Sequence, residues 1–160
     1  MKIHEYQSKE IFARYGVKVP NSKAVKTPQE ASSATAEMGG QAVLKAQVHA
    51  GGRGNAGGVK VVRSPIEAED VARGMLGKNL VTRQTDAQGV PVNELLVEAL
   101  AEIVHESYLA ITVDSSFRGP VILVSAKGGM DIEEVAASNP EDIHSEPIDP
   151  TLGLMPYQPR

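Results

Sequence analysis

Apolar and polar positions along this 160-residue chain change period several times, and each change marks a predicted element. Ile3, Tyr6, Ile11 and Phe12 fall near helical spacing with Glu5, Gln7, Lys9 and Glu10 between them, which predicts an amphipathic helix over 3–14 ended by Gly16. Val17 to Pro20 should then run extended, and Ala24 to Lys26 should form a short strand. Thr27-Pro28-Gln29-Glu30 and Ser64-Pro65-Ile66-Glu67 each place a hydroxyl at the N-cap, proline at the first helical position and glutamate at the third. These two capping boxes predict helices running to about Met38 and about Leu76, stopped by Gly39-Gly40 and Gly77. Between them, Gln41 to Arg63 reads as an apolar strand carrying Lys45, a loop with five glycines between Gly51 and Gly58, and a β-branched strand through Val62.

Beyond Gly77 the periodicity fades. Lys78 to Asn93 reads as loop, rich in turn formers. Leu95 to Glu98 reads as a buried strand leading into a carboxylate, and residues 107–126 as an antiparallel hairpin turned at Ser116–Gly119. Gly128-Gly129 breaks the pattern, Asp131 to Ala137 is predicted helical, and Pro140 opens a short helical or turn segment. His144 to Arg160 is proline-rich with no periodic core face. There is no internal repeat and no sequence signal for a linker between independent domains, so the expected layout is one α/β (α+β) unit with mixed sheets flanked by helices.

The glycine loop suggests chemistry. Without Cβ atoms a backbone comes close to phosphate oxygens, its N–H groups donate to them, and Lys45 and Arg53 would supply positive charge. Gly52, Gly54 and Gly57 spell a dinucleotide fingerprint, but the next residues favour a strand where that motif needs a helix, and no Gly-Lys-Ser/Thr follows for a P-loop. A mobile, ligand-free hairpin loop is the competing reading. Lys45, in the middle of an apolar strand, calls for an anionic partner. The end of the strand at Glu98-Ala99-Leu100-Ala101 could offer backbone groups to a base, and Glu106 could accept from ribose hydroxyls, with a hinge in the residues between. Taken alone, Glu98 and Glu106 read as solvated or paired surface carboxylates. His49 could touch phosphate or be a hydrogen-bonded structural residue, and His4 reads as a surface residue. Asp131, Glu133 and Glu134 could ligate metal, or simply favour a helix N-terminus.

Composition narrows the classes. Apolar residues at 41% and charged residues at 22% describe an ordinary globular protein, and a net charge of −4 argues against a broad nucleic-acid surface. The absence of cysteine removes disulfides, thiolate catalysis and sulfur metal sites and fits a reducing compartment. The charged N-terminus reads neither as signal peptide nor as membrane span, so the expected location is cytoplasmic, or an organelle matrix after processing.

Taken together, HEYQSKEIFARYGVKVP, LKAQVHAGGRGNAGGVKVV, LGKNLVTRQTDAQGVPVNELLVEA, GGMDIEEVA and LMPYQ resemble the β subunit of succinyl-CoA synthetase along essentially the whole chain. The resemblance implies an ATP-grasp fold over residues 1–160, with the remainder of that domain and a C-terminal domain lying beyond Arg160. It implies that Lys45 and Gly52-Arg53-Gly54 bind nucleotide phosphates, that Glu98 and Ala101 lie on the base side, and that Glu106 binds ribose. Ala101 departs from a polar residue found there in some members, a change that a main-chain contact tolerates. It further implies ATP or GTP as substrate, Mg²⁺ held by residues beyond Arg160, and an α-subunit partner. On that partner a histidine carries phosphate to succinate before CoA displaces it; none of His4, His49, His105 or His144 matches that histidine, so no catalytic residue is expected in this chain. Two other readings stand beside it: the β subunit of a sister enzyme such as malate–CoA ligase, and a non-catalytic nucleotide-binding fragment.

Overall fold

The computed structural model describes residues 2–129 and 132–159, which fall into two compact units meeting between Ala101 and Glu102. That boundary lies inside the Glu98–Glu106 stretch expected to hold a hinge. No proline- or glycine-rich segment marks it.

The first unit contains α1 (Glu5–Arg14), β1 (Ser22–Val25), α2 (Pro28–Glu37), β2 (Ala42–Ala46), β3 (Val59–Val62), α3 (Pro65–Met75), β4 (Asn79–Leu80), β5 (Val90–Pro91) and β6 (Leu95–Ala99). Four strands form an antiparallel sheet in the order β1-β6-β2-β3. The helix starts follow the expected signals. Thr27 Oγ1 accepts from the Glu30 amide at 3.2 Å, and the Glu30 carboxylate accepts from the Thr27 amide at 3.1 Å. At α3 only half of the box forms: Ser64 Oγ accepts from the Glu67 amide, but Glu67 reaches one residue further back, to the Arg63 amide at 2.7 Å.

Strand alternation builds the core. Ala42, Leu44 and Ala46 of β2, Val62 of β3, and Leu95 and Val97 of β6 point to one face, where they pack with Ala31 and Ala34 of α2 and Ala68 and Ala72 of α3. Alanines on both helices let α2 and α3 lie close to the sheet, so a thin core still excludes water. The segment expected to be loop, Lys78 to Asn93, includes the two-residue pair β4 and β5, held by backbone ladders that leave no periodic trace in so short a run.

The second unit holds β7 (Tyr108–Asp114), β8 (Gly119–Ser125), α4 (Ile132–Ser138), a 3₁₀ turn (Pro140–Asp142) and β9 (His144–Pro147). β7 and β8 form the expected hairpin, in register from Tyr108 opposite Ser125 to Asp114 opposite Gly119. β9 corrects the sequence reading of the last stretch: His144 to Pro147 pairs antiparallel with β8 through its backbone, with three of its four residues exposed, so it needs no apolar periodicity. Every strand pairing among the described residues is antiparallel, and no helix among them is long and apolar enough to cross a membrane.

Candidate functional site

The same alternation that buries Leu44 turns Lys45 to the opposite face of the sheet, away from α2 and α3. Antiparallel register sets Lys45 opposite Leu96 and Val43 opposite Glu98, so Lys45 and Glu98 share that face. Helix α1 contributes to it from above, bringing Glu5 and Lys9, which lie one turn apart on the same side of the helix.

Five charged side chains meet there. Lys45 Nζ lies 2.7 Å from Glu98 Oε1 and 3.1 Å from Glu5 Oε1, Lys9 pairs with Glu98 and sits 3.3 Å from Glu5, and Arg53 Nη2 reaches Glu5 Oε2 at 2.6 Å. Arg53 also donates through Nη1 to the Ala46 carbonyl at 2.7 Å, which anchors its guanidinium at the end of β2. Three cations face two carboxylates, leaving the cluster with one net positive charge. Glu98 is only 8% exposed in its side chain and would be costly to bury alone; the lysines remove that penalty. The anionic partners that a strand lysine calls for are therefore provided by the chain itself.

The sequence reading had Glu98 as a solvated or surface-paired group if it had no function, and the structure corrects this: it is a buried member of the cluster. Lys9 and Glu5 were missed, because on the sequence they are only the polar side of an amphipathic helix. The available signal was their i,i+4 spacing next to the glycine-rich segment, which says nothing about what α1 packs on.

Burial by itself would raise the pKa of Glu5, but the Arg53 hydrogen bond and the charges of Lys45 and Arg53 outweigh it and hold the carboxyl at about 2 against an ordinary 4.5. A carboxylate depressed in the folded state stabilises the fold above its unfolded pKa and loses that contribution as pH falls through the folded one. Between about pH 5 and pH 2.5 the protein should lose on the order of 2 kcal/mol through Glu5, and a Glu5→Gln variant should show a flatter decline in urea midpoints. Parallel declines in the two proteins would remove Glu5 from this role. Lys9 is lowered from its ordinary value, by burial first and by the neighbouring Lys45 charge second.

The glycine loop closes on itself below this cluster. The Gly58 amide donates to the Arg53 carbonyl at 2.7 Å, the Ala46 amide to the Gly58 carbonyl at 2.7 Å, and the Gly51 amide to Gln84 Oε1 at 2.8 Å. Gly52 and Gly57 take positive φ (72° and 78°), which is why glycine stands at these turns. Among the described residues the amides of Gly52, Arg53 and Gly54 find no acceptor, so three successive N–H donors stand in the loop that carries Arg53. Of the expected phosphate-binding set, the structure thus brings Lys45 and Arg53 onto one carboxylate, with Gly52 and Gly54 flanking Arg53 in the chain.

Strand β6 ends at Ala99, whose amide donates to the Asn21 carbonyl at 2.9 Å, so the backbone free for a base edge starts later than expected, at Leu100 and Ala101. Beside the cluster lies a cleft of about 330 Å³ lined by Tyr6, Lys9, Val19, Pro20, Ala24 and Leu96 among others. Glu106 belongs to the second unit. There its carbonyl accepts from the Gly128 amide at 3.1 Å, and a Cβ on Gly128 would come within 2.6 Å of the Glu106 backbone, so glycine is needed for this close approach.

Two of the four histidines pair with each other. His49 stacks on His4 with centroids 4.1 Å apart and planes 10° from parallel, and His4 stacks in turn on Tyr6 at 5.9 Å. Burial, then the neighbouring His49, lowers the His4 pKa. This ring ladder joins the chain before α1 to the end of β2 and favours the structural reading of both residues.

The described residues do not fit a Mg²⁺ site. Glu5 and Glu98 are engaged by lysine and arginine, and no group of three or more His, Asp or Glu able to hold a metal occurs among them. Glu133 and Glu134 lie in the first turn of α4, and Asp131 lies outside the described residues.

A strand lysine, a glycine-rich loop between two antiparallel strands and a separate second unit define a class, and comparison with known proteins identifies it. The chain matches the ATP-grasp domain family over residues 2–160, and it belongs to that family. Among curated proteins it is 53% identical over 161 aligned residues to the succinate–CoA ligase [ADP-forming] subunit beta of Enterobacter sp. (strain 638), and 51% identical to that of Colwellia psychrerythraea (strain 34H / ATCC BAA-681). Both alignments cover 100% of this chain and 42% of the relative, so the chain spans about two fifths of the length of these relatives. Among solved structures, ATP citrate lyase from Methanothrix soehngenii matches with a TM-score of 0.71 at 21% identity, over 95% of this chain and 36% of that one, a likeness of fold.

Proposed function

We infer that this chain is the nucleotide-holding portion of a succinate–CoA ligase β subunit. The observation that carries the reading is the convergence of Lys45 and Arg53 on a single carboxylate, with three unbonded amides in the loop that carries Arg53, a set of donors suited to an anion with several oxygens. The relatives' names supply the substrate class.

In this reading the phosphates of ATP or GTP lie against Lys45, Arg53 and the amides of Gly52 to Gly54. The base enters the cleft lined by Val19, Pro20 and Leu96, main-chain groups at Leu100 and Ala101 serve its polar edge, and Glu98 is held by Lys9 and Lys45. The ribose role of Glu106 rests on the family resemblance alone. The assembled enzyme then uses nucleoside triphosphate to phosphorylate a histidine of an α-subunit partner and transfers that phosphate to succinate, and the CoA thiol displaces the phosphate as inorganic phosphate to give succinyl-CoA. This chain's share is to hold the nucleotide and neutralise charge, so catalysis here is positioning and electrostatics. The absence of cysteine fits work in the reducing cytoplasm.

The test is a calorimetric titration of this protein with ADP–Mg²⁺ and GDP–Mg²⁺. Saturable one-to-one binding of either nucleotide, competed by tripolyphosphate, is the expected result. No heat with either nucleotide, on protein shown to be folded, would overturn the reading for this chain.

A further inference from the structure

Helix α1 is loosely attached. None of its residues is fully buried, Ile11 and Phe12 are 41% and 52% exposed, and Tyr15, just past its end, is 83% exposed. Its polar attachments to the sheet include the Tyr6 amide to Gln47 Oε1 at 3.3 Å, the Lys9 pair with Glu98, and the bridges from Glu5 to Lys45 and Arg53. The two oxygens of Glu5 divide between these cations much as two oxygens of a phosphate would: Oε1 to Lys45 and Oε2 to Arg53.

We propose that Glu5 is a resident anion of the phosphate site, which the nucleotide must displace from Lys45 and Arg53 on entry, loosening the N-terminal end of α1. The inference rests on the nucleotide reading above and adds to it a residue that sets affinity. Glu5 takes an Nη2 hydrogen of Arg53 and a hydrogen of Lys45 Nζ at once, while Arg53 Nη1 is held by the Ala46 carbonyl, so a phosphate that bridges the same two cations must take the place of the carboxylate. Sharing is disfavoured, since Glu5 stays ionised over the working pH range and two anions on one partly buried guanidinium repel. Departure is eased by Lys9, four residues on and 3.3 Å away, which stays on Glu98 and offers Glu5 a remaining counter-charge.

Glu5→Gln should therefore bind both ADP and inorganic tripolyphosphate about tenfold tighter than the parent, the scale of one partly buried ion pair withdrawn from competition. Saturating nucleotide should also speed hydrogen exchange of amides in residues 5–14 of the unmodified protein, a response that a purely structural glutamate would not give. Glu5→Asp, with shorter reach and the same charge, should be intermediate, and it carries the comparison if Glu5→Gln does not fold. Equal or weaker binding by the folded Glu5 variants, with Lys45→Ala still losing ADP, overturns the displacement and leaves the nucleotide site standing. Absence of ADP binding in every protein, the parent included, overturns both.

Discussion

Replacing Lys45 by alanine is expected to lower ADP affinity by on the order of 30-fold or more, the loss of one charge-assisted phosphate contact of about 2 kcal/mol. The same change leaves Glu98, 8% exposed, with Lys9 as its remaining cation, and should cost about 2–3 kcal/mol of stability. The two effects have different origins, so they can be separated. In the double variant Lys45→Ala/Glu98→Gln the buried carboxylate no longer needs its counter-charge, and stability should largely return. Nucleotide binding should not. If the double variant recovers both, Lys45 matters only through the ion cluster; if Lys45→Ala titrates with ADP like the parent, the lysine is not in the site.

Leu44→Ala should destabilise the first unit by about 3 kcal/mol, within the range of 2–5 for a fully buried leucine. Leu44 is 0% exposed at the centre of β2, between Lys60 of β3 and Val97 of β6, and faces the alanine-lined side of α2 and α3. Those alanines have no longer side chain that could swing into the gap, so the cavity should persist. Because the chain forms two units, whole-molecule unfolding need not be two-state, and amide exchange in β2 and β6 reads the first unit directly. A loss below about 1 kcal/mol there would mean that the core collapses around the missing atoms. Since Lys45 is the next residue along the same strand, Leu44→Ala should also weaken ADP binding more than an equally destabilising change in α4 would.

Much of the fold was legible along the chain. Thr27-Pro28 and Ser64-Pro65 announce their helices because capping and proline geometry are local. The Tyr108–Ser125 hairpin announces itself because its strands are adjacent and its turn is short. β9 and the β4–β5 pair were not legible, since their pairing is carried by backbone groups that every residue possesses. The boundary at Ala101 has no compositional mark, and only the spacing from Glu98 to Glu106 pointed to a hinge there.

For the site the division is similar. Lys45 and the Gly51–Gly58 loop stand out because a lysine in an apolar strand and five glycines in eight residues both break the local pattern. The sequence by itself determined those positions, the antiparallel arms around the loop and the absence of thiol chemistry. Only the tertiary structure decided what surrounds Lys45: β6 runs beside β2 although 48 residues separate Ala46 from Leu95, and α1 joins from the far end of the chain. Register placed Glu98 on the face of Lys45, and packing placed Glu5 and Lys9 there as well. A carboxylate and its lysine are chemically ordinary wherever they occur in a sequence; burial and proximity, which long-range pairing alone creates, turn them into a charged site.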